Sequence, residues 1–169
     1  EDDRRNHVAS IDLDLKLTNV TIGDRVHFAL SPGPGNTWAT LSSDPATPNE
    51  VYFIENGNAR RLTFVHDTLM KKRTLATVEA FDSKSKDGTV VGNFLFWPAG
   101  KPKNEKLPLI LWIHGGPTAQ DDFAFDFIPQ VFAAKGYAVL TVNYRGSTGK
   151  GLAFSRSIFA DWGNKEVVD

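Results

Sequence analysis

Along the first third of the chain, apolar and polar residues alternate with a period of two. Ile11, Leu13, Leu15 and Leu17 are separated by Asp12, Asp14 and Lys16, the pattern of a strand with one dry and one wet face. Strand-like runs follow at 25–30, 37–41, 50–54 and 60–63, divided by Ser31-Pro32-Gly33-Pro34-Gly35, by 44–49 and by Asn56-Gly57. Asn56-Gly57 suits the positive φ angles of a tight hairpin that pairs 50–55 with 59–63. Short antiparallel strands at this even spacing fit a sandwich, or one to two blades of a propeller whose unit is four strands.

From residue 107 the pattern changes. The runs 107–113 and 137–142 are almost continuously apolar, as strands buried on both faces of a parallel sheet are. Between them Asp126 can cap a helix over about 127–135, with Phe127, Ile128, Val131 and Phe132 facing the sheet. Pro129 is tolerated in its first turn, and Lys135-Gly136 closes it. Strand, helix and parallel strand make a right-handed crossover. A second helical stripe is expected from Phe154, Ile158 and Trp162 at spacing four. Before the sheet, 79–85 and 89–97 flank Asp87-Gly88 as a hairpin, and a lysine-rich loop over 99–106 follows.

Composition narrows the classes of function. The chain has 169 residues, 41% of them hydrophobic, and a formal net charge of -1. It therefore has no broad basic field for a phosphate backbone, and no nucleic-acid partner is expected. With no cysteine, disulfide scaffolds, thiolate metal sites and cysteine nucleophiles are excluded, and the redox compartment is unreadable. No stretch approaches the roughly 20 apolar residues of a membrane span, so no membrane partner is expected. The chain begins without Met and ends on Glu166-Val167-Val168-Asp169, with no stop signal after what reads as the start of a helix. An internal piece of a longer protein is expected.

The residues that can carry chemistry lie in two loops. Ile113-His114-Gly115-Gly116-Pro117 stands at the carboxyl end of a strand and before a helix, where open α/β sheets place their ligands. The glycine pair lets a backbone N–H point outward, as an acyl-transfer enzyme needs for the negative oxygen of its tetrahedral intermediate; the alternative is a plain tight turn. His114 by itself reads as a packed imidazole more readily than as a general base. The second loop, 143–151, holds Tyr144, Arg145 and three glycines, but its spacing is not that of a phosphate loop. Arg145 reads as a structural ion-pair partner tying loops together, with a substrate clamp as the alternative. Asp121 and Asp122 are expected to face solvent. His7, His27 and His66 have no partner spaced for a metal site, and no metal or cofactor is expected.

The string 107–117, the 143–151 loop, and Asp161-Trp162-Gly163 with Lys165-Glu166-Val167 together resemble the prolyl oligopeptidase family of serine peptidases, closest to its acylaminoacyl-peptidase-like and dipeptidyl-peptidase-like branch. The ordered matches span 107–169, with a weaker one over 51–97. The resemblance implies an α/β-hydrolase domain, here its N-terminal portion with a parallel sheet, preceded by β-propeller blade strands. Residues 1–72 would end the propeller, and 73–169 would begin the peptidase domain. It implies a Ser, Asp and His triad that hydrolyses peptide bonds of short peptides. No serine here lies in a GxSxG elbow, so the triad is expected outside this chain and the segment alone is expected to be inactive. The oxyanion donor carries over to the backbone N–H of Gly116, with Gly115 allowing the turn and His114 bracing it. Some relatives have a tyrosine at the His114 position that donates its hydroxyl, a role the imidazole here leaves in question. Two other readings stay open: a carboxylesterase of the same fold, and a propeller-based binding protein with a degenerate hydrolase portion. Substrate preference, oligomeric state (a homo-oligomer included) and compartment are not written in the sequence.

Overall fold

A computed structural model describes residues 2–169, which form two compact units. The first contains the chain up to Arg73 together with Asp122–Phe125. Its strands are β1 (Ala9–Ile11), β2 (Leu17–Asn19), β3 (Val26–Pro32), β4 (Thr37–Asp44), β5 (Thr47–Glu55) and β6 (Asn58–Arg61), followed by the short helix α1 (Asp67–Met70). β3 to β6 form a four-stranded antiparallel sheet in sequence order. The β5–β6 turn is the expected hairpin, with Asn56 and Gly57 both at positive φ.

Alternation along β5 buries Glu50, Tyr52 and Ile54, so a carboxylate enters the interior with the apolar residues. Its partners are close: Arg61 Nη2 lies 2.9 Å away, the His66 N–H donates at 3.1 Å, and the Thr63 hydroxyl donates to the second oxygen. Burial acts to raise the Glu50 carboxyl, but the hydrogen bonds from Thr63, His66, Val65 and Arg61 outweigh it and hold it at about 2.

The alternating run at 11–17 does not form one half-buried strand. β1 and β2 are a hairpin closed at Asp12, whose Oδ1 accepts from the N–H groups of Asp14 and Lys16, with Leu15 at φ 61°. The side-chain carboxylate competes for the backbone donors that a continuing ladder would use. Ile11, Leu13, Leu15 and Leu17 are all exposed.

The second unit contains Thr74–Asp121 and Asp126–Asp169. Its strands β7 (Thr77–Lys84), β8 (Val90–Trp97), β9 (Leu109–Trp112) and β10 (Ala138–Asn143) lie in the order β7-β8-β10-β9, with helix α2 (Phe127–Ala134) between the last two in sequence. β7 and β8 are an antiparallel hairpin, β8 and β10 are antiparallel, and β10 and β9 are parallel. The core is the middle of this sheet: Val91, Phe94, Phe96, Ala138 and Val139. β9 is an edge strand here, and Leu109, Leu111 and Ile113 are exposed, contrary to the two-sided burial its apolar run suggests.

Asp126 caps α2 by accepting the Ile128 N–H at 3.1 Å, and Gly136 at φ 92° follows its end. The buried face differs from the expected one. Pro129, Gln130 and Ala133 are buried, whereas Phe127, Ile128 and Val131 are exposed. Gln130 is turned inward because its side-chain oxygen accepts the Ala76 N–H at 2.8 Å, a backbone donor that would otherwise be lost on burial. The stripe Phe154, Ile158, Trp162 is not a helix either. Helix α3 (Leu152–Ser155) stops after four residues, Ala160 has φ 56°, and Glu166–Val168 is a single 3₁₀ turn. Ile158 is buried, while Trp162 is exposed.

Glu50→Gln should destabilise the first unit by about 3 kcal/mol at neutral pH, the lower side of breaking a buried ion pair because Arg61 is partly exposed. The native carboxyl lies at about 2 against an ordinary 4.5, so its stabilisation is complete above pH 4.5 and lost as pH falls toward 2. Denaturant unfolding from pH 2 to 7 should show that acid slope in the native protein and a flattened one in the variant.

Candidate active site

Parallel pairing sets Thr141 of β10 beside Trp112 of β9, so the loops after the two strands leave the same end of the sheet. The first loop carries His114, Gly115 and Gly116, and the second carries Tyr144, Arg145, Gly146 and Ser147. Three contacts join them. The Asn143 side chain accepts the Asp121 N–H at 2.7 Å and donates to the Asp121 carbonyl at 2.8 Å. The Thr148 N–H donates to the Ala119 carbonyl at 2.9 Å. Gly146, at φ 104°, sits so close that a Cβ would lie 2.5 Å from Ile158 Cδ1 and 2.9 Å from Pro117 Cβ, so only glycine fits.

His114 is held through both ring nitrogens, one ring face and its carbonyl. Its Nε2 is 3.0 Å from Ser147 Oγ and its Nδ1 is 3.0 Å from the Gly115 carbonyl. Its ring stacks on Tyr144 with centroids 4.7 Å apart, and the Tyr144 hydroxyl donates to the His114 carbonyl at 2.9 Å. Burial raises the Tyr144 phenol above its ordinary value, with the Asp121 and Glu166 charges acting in the same direction, so it remains a donor at neutral pH.

Gly115 and Gly116 are exposed at the tip of the turn. Gly116 has φ 140°, and a Cβ there would lie 2.8 Å from the Thr118 nitrogen. Among the described residues, no backbone hydrogen bond uses the Gly116 N–H. An exposed N–H beside a packed imidazole can stabilise an oxyanion but cannot itself break a bond.

Arg145 is buried and does not reach the open side of the turn. Its Nε and Nη2 donate to the Asp169 carboxylate at 3.0 and 2.7 Å, its Nη1 pairs with Asp87, and its Nη2 also donates to the Lys165 carbonyl. The guanidinium thus ties the β7–β8 turn and the residues around 165–169 to the end of β10.

Asp121 departs from the expected solvent-facing aspartate. It is half-buried, and burial raises its carboxyl to about 6, against the opposing influence of His114. Ser147, fully buried against His114, was not singled out for a role by the sequence. Its only signal is its place in the loop after the adjacent strand. Beside the turn, on the sheet face, lies an apolar groove of about 380 Å³ lined by Leu111, Ile113, Val142, Tyr144, Ile158 and Trp162 among others. Among the described residues, no group of three His, Asp or Glu side chains could hold a metal ion.

Residues 123–169 match the prolyl oligopeptidase family. The chain is 36% identical over 143 residues to the uncharacterised peptidase YuxL of Bacillus subtilis, covering 84% of this chain and 22% of that protein. It is 37% identical over 160 residues to dipeptidyl-peptidase 4 of Giardia intestinalis, covering 92% and 19%. The Pyrococcus horikoshii acylaminoacyl peptidase structure superposes with a TM-score of 0.86 at 24% identity, over 98% of this chain and 26% of that one. The chain thus spans about a fifth of the length of these curated relatives, and its fold is that of the corresponding part of the solved peptidase.

Because the Asp121 carboxyl is raised from 3.8 to about 6, the protonated form favours the fold; that contribution is complete below pH 3.8 and lost as pH rises through 6. Asp121→Asn should therefore stabilise the protein by about 1–3 kcal/mol above pH 7 and leave it unchanged below pH 4. Unfolding curves of both forms at pH 3.5 and 7.5 check this.

Proposed function

We propose, for a chain that belongs to the prolyl oligopeptidase family, that it supplies one oxyanion donor of a serine peptidase that cleaves short peptides through an acyl-enzyme. The observation that carries the reading is the Gly115–Gly116 turn, exposed at the carboxyl end of β9 with its N–H uncommitted. A tetrahedral intermediate places a full charge on the former carbonyl oxygen, and a fixed N–H in a partly dry site stabilises that charge without reorganising. The second donor, on this reading, is the amide after the nucleophilic serine.

Residues 1–72 are read as the end of a β-propeller domain and 73–169 as the N-terminal part of an α/β-hydrolase domain. In support, β3 to β6 form the four-stranded antiparallel unit of a blade, and the sheet of the second unit turns from antiparallel to parallel at β10. The nucleophile, Asp and His are assigned to the rest of a longer protein, in keeping with the small share of its relatives that this chain spans. The exposed apolar side chains of β9 fit a strand that further elements of such a protein would cover. A peptide substrate is favoured by the peptidase relatives and by the acylaminoacyl peptidase solved with Z-Gly-Gly-Phe-chloromethyl ketone. On this assignment the 169-residue segment alone has no turnover.

In the full-length protein Gly116→Ala should lower kcat by about 100- to 1,000-fold with KM changed by no more than about threefold, since the donor acts on charge that exists only in the transition state. The alanine keeps its N–H but cannot keep the turn, because its Cβ would meet the Thr118 nitrogen at 2.8 Å. Steady-state kinetics on a peptidyl p-nitroanilide, with circular dichroism as a folding check, reads the result. A folded variant with near-normal kcat returns the glycine pair to a plain turn.

A further inference from the structure

We propose that Ser147 is a positioning residue that aims the Gly116 N–H by fixing the His114 imidazole, an inference that rests on the oxyanion reading above. A carbonyl oxygen can only accept, so the 3.0 Å contact between His114 Nδ1 and the Gly115 oxygen requires the ring proton on Nδ1. When the ring is uncharged, Nε2 carries the lone pair, and the Ser147 hydroxyl, 3.0 Å away, is its donor. Ser147 is fully buried, so water does not compete for its hydroxyl.

The consequence travels through one planar peptide. The Gly115 carbonyl and the Gly116 N–H belong to the same unit and point in opposite directions, so holding the oxygen fixes the direction of the N–H. Such a hold is needed because neither flanking residue has a Cβ, and nothing lies within 4 Å of where a Gly115 Cβ would be; the peptide would otherwise rotate easily. Tyr144 fixes the preceding peptide through the His114 carbonyl. Ser147, His114, Gly115 and Gly116 thus form a relay of orientation in which no proton has to move during turnover. Without the serine hydroxyl the Nε2–H tautomer becomes accessible. It would set the Nδ1 lone pair against the Gly115 oxygen, and the peptide would turn away.

The test compares Ser147→Ala, His114→Ala and the double variant in the full-length protein. Ser147→Ala should lower kcat about tenfold, less than the loss of a donor itself, with KM within about twofold. Added to His114→Ala, it should slow the enzyme no further, because the serine acts only through the ring. Independently of turnover, ¹⁵N spectra of imidazole-labelled protein should show the Nδ1–H form at His114, and a tautomer mixture in Ser147→Ala. An Nε2–H ring in the native protein overturns the relay, as does a Ser147→Ala effect of equal size with and without His114. If Gly116→Ala leaves kcat intact while the Nδ1–H form is observed, the oxyanion reading fails and the ring geometry stands. If Gly116→Ala is slow and Ser147→Ala is not, only the role of Ser147 fails.

Discussion

The parallel pairing of β9 with β10 is the constraint on which the candidate site depends. Two parallel strands end at the same edge of a sheet, so the glycine turn after β9 and the Tyr144–Ser147 loop after β10 become neighbours although thirty residues separate them in sequence. α2 makes the pairing feasible by carrying the chain back across one face, as parallel strands require. Once side by side, the loops are locked by the two hydrogen bonds of Asn143 and by the absence of a Cβ at Gly146. A slip of one residue would turn Asn143 to the opposite face and lose both bonds.

Each unit also contains a buried ion pair near the end of a strand. Glu50 with Arg61 holds the close of the first unit's sheet, and Arg145 with Asp169 and Asp87 holds the end of β10. Such pairs overcome the cost of leaving water only when the remaining lone pairs and protons are met. Both satisfy that condition, since Glu50 also accepts from Thr63 and His66, and Arg145 also donates to the Lys165 carbonyl. Their effect at the site is indirect. Arg145 fixes the backbone one residue from Tyr144 and two from Ser147, the residues that grip His114.

The donor proposed for this chain is a main-chain N–H, whose strength would depend on aim rather than on side-chain acidity. The contacts that hold the turn are uncharged, a stacked phenol, a serine hydroxyl and a carbonyl, and burial raises the nearby Asp121 carboxyl to about 6.

Period and punctuation in the sequence determined most of the local structure. The Asn56-Gly57 and Asp87-Gly88 hairpins and the Asp126 cap follow from residues close together in the chain, and the parallel neighbours β9 and β10 from two apolar runs with a helix between them. The glycine turn was legible for the same reason, because only glycine reaches φ 140° at a strand end without strain. What the sequence could not decide depended on partners distant along the chain. Apart from the alternation at 11–17, which yielded to a local turn at Asp12, the apolar side of α2 yielded to a Gln130 that serves Ala76, and the stripe at 154–162 is broken where Ile158 lies against Gly146. Asp121 and Ser147 gained their environments only when the two loops met. Periodicity reports which residues favour burial, whereas which are buried is decided by the backbone groups and loops that tertiary pairing brings against them.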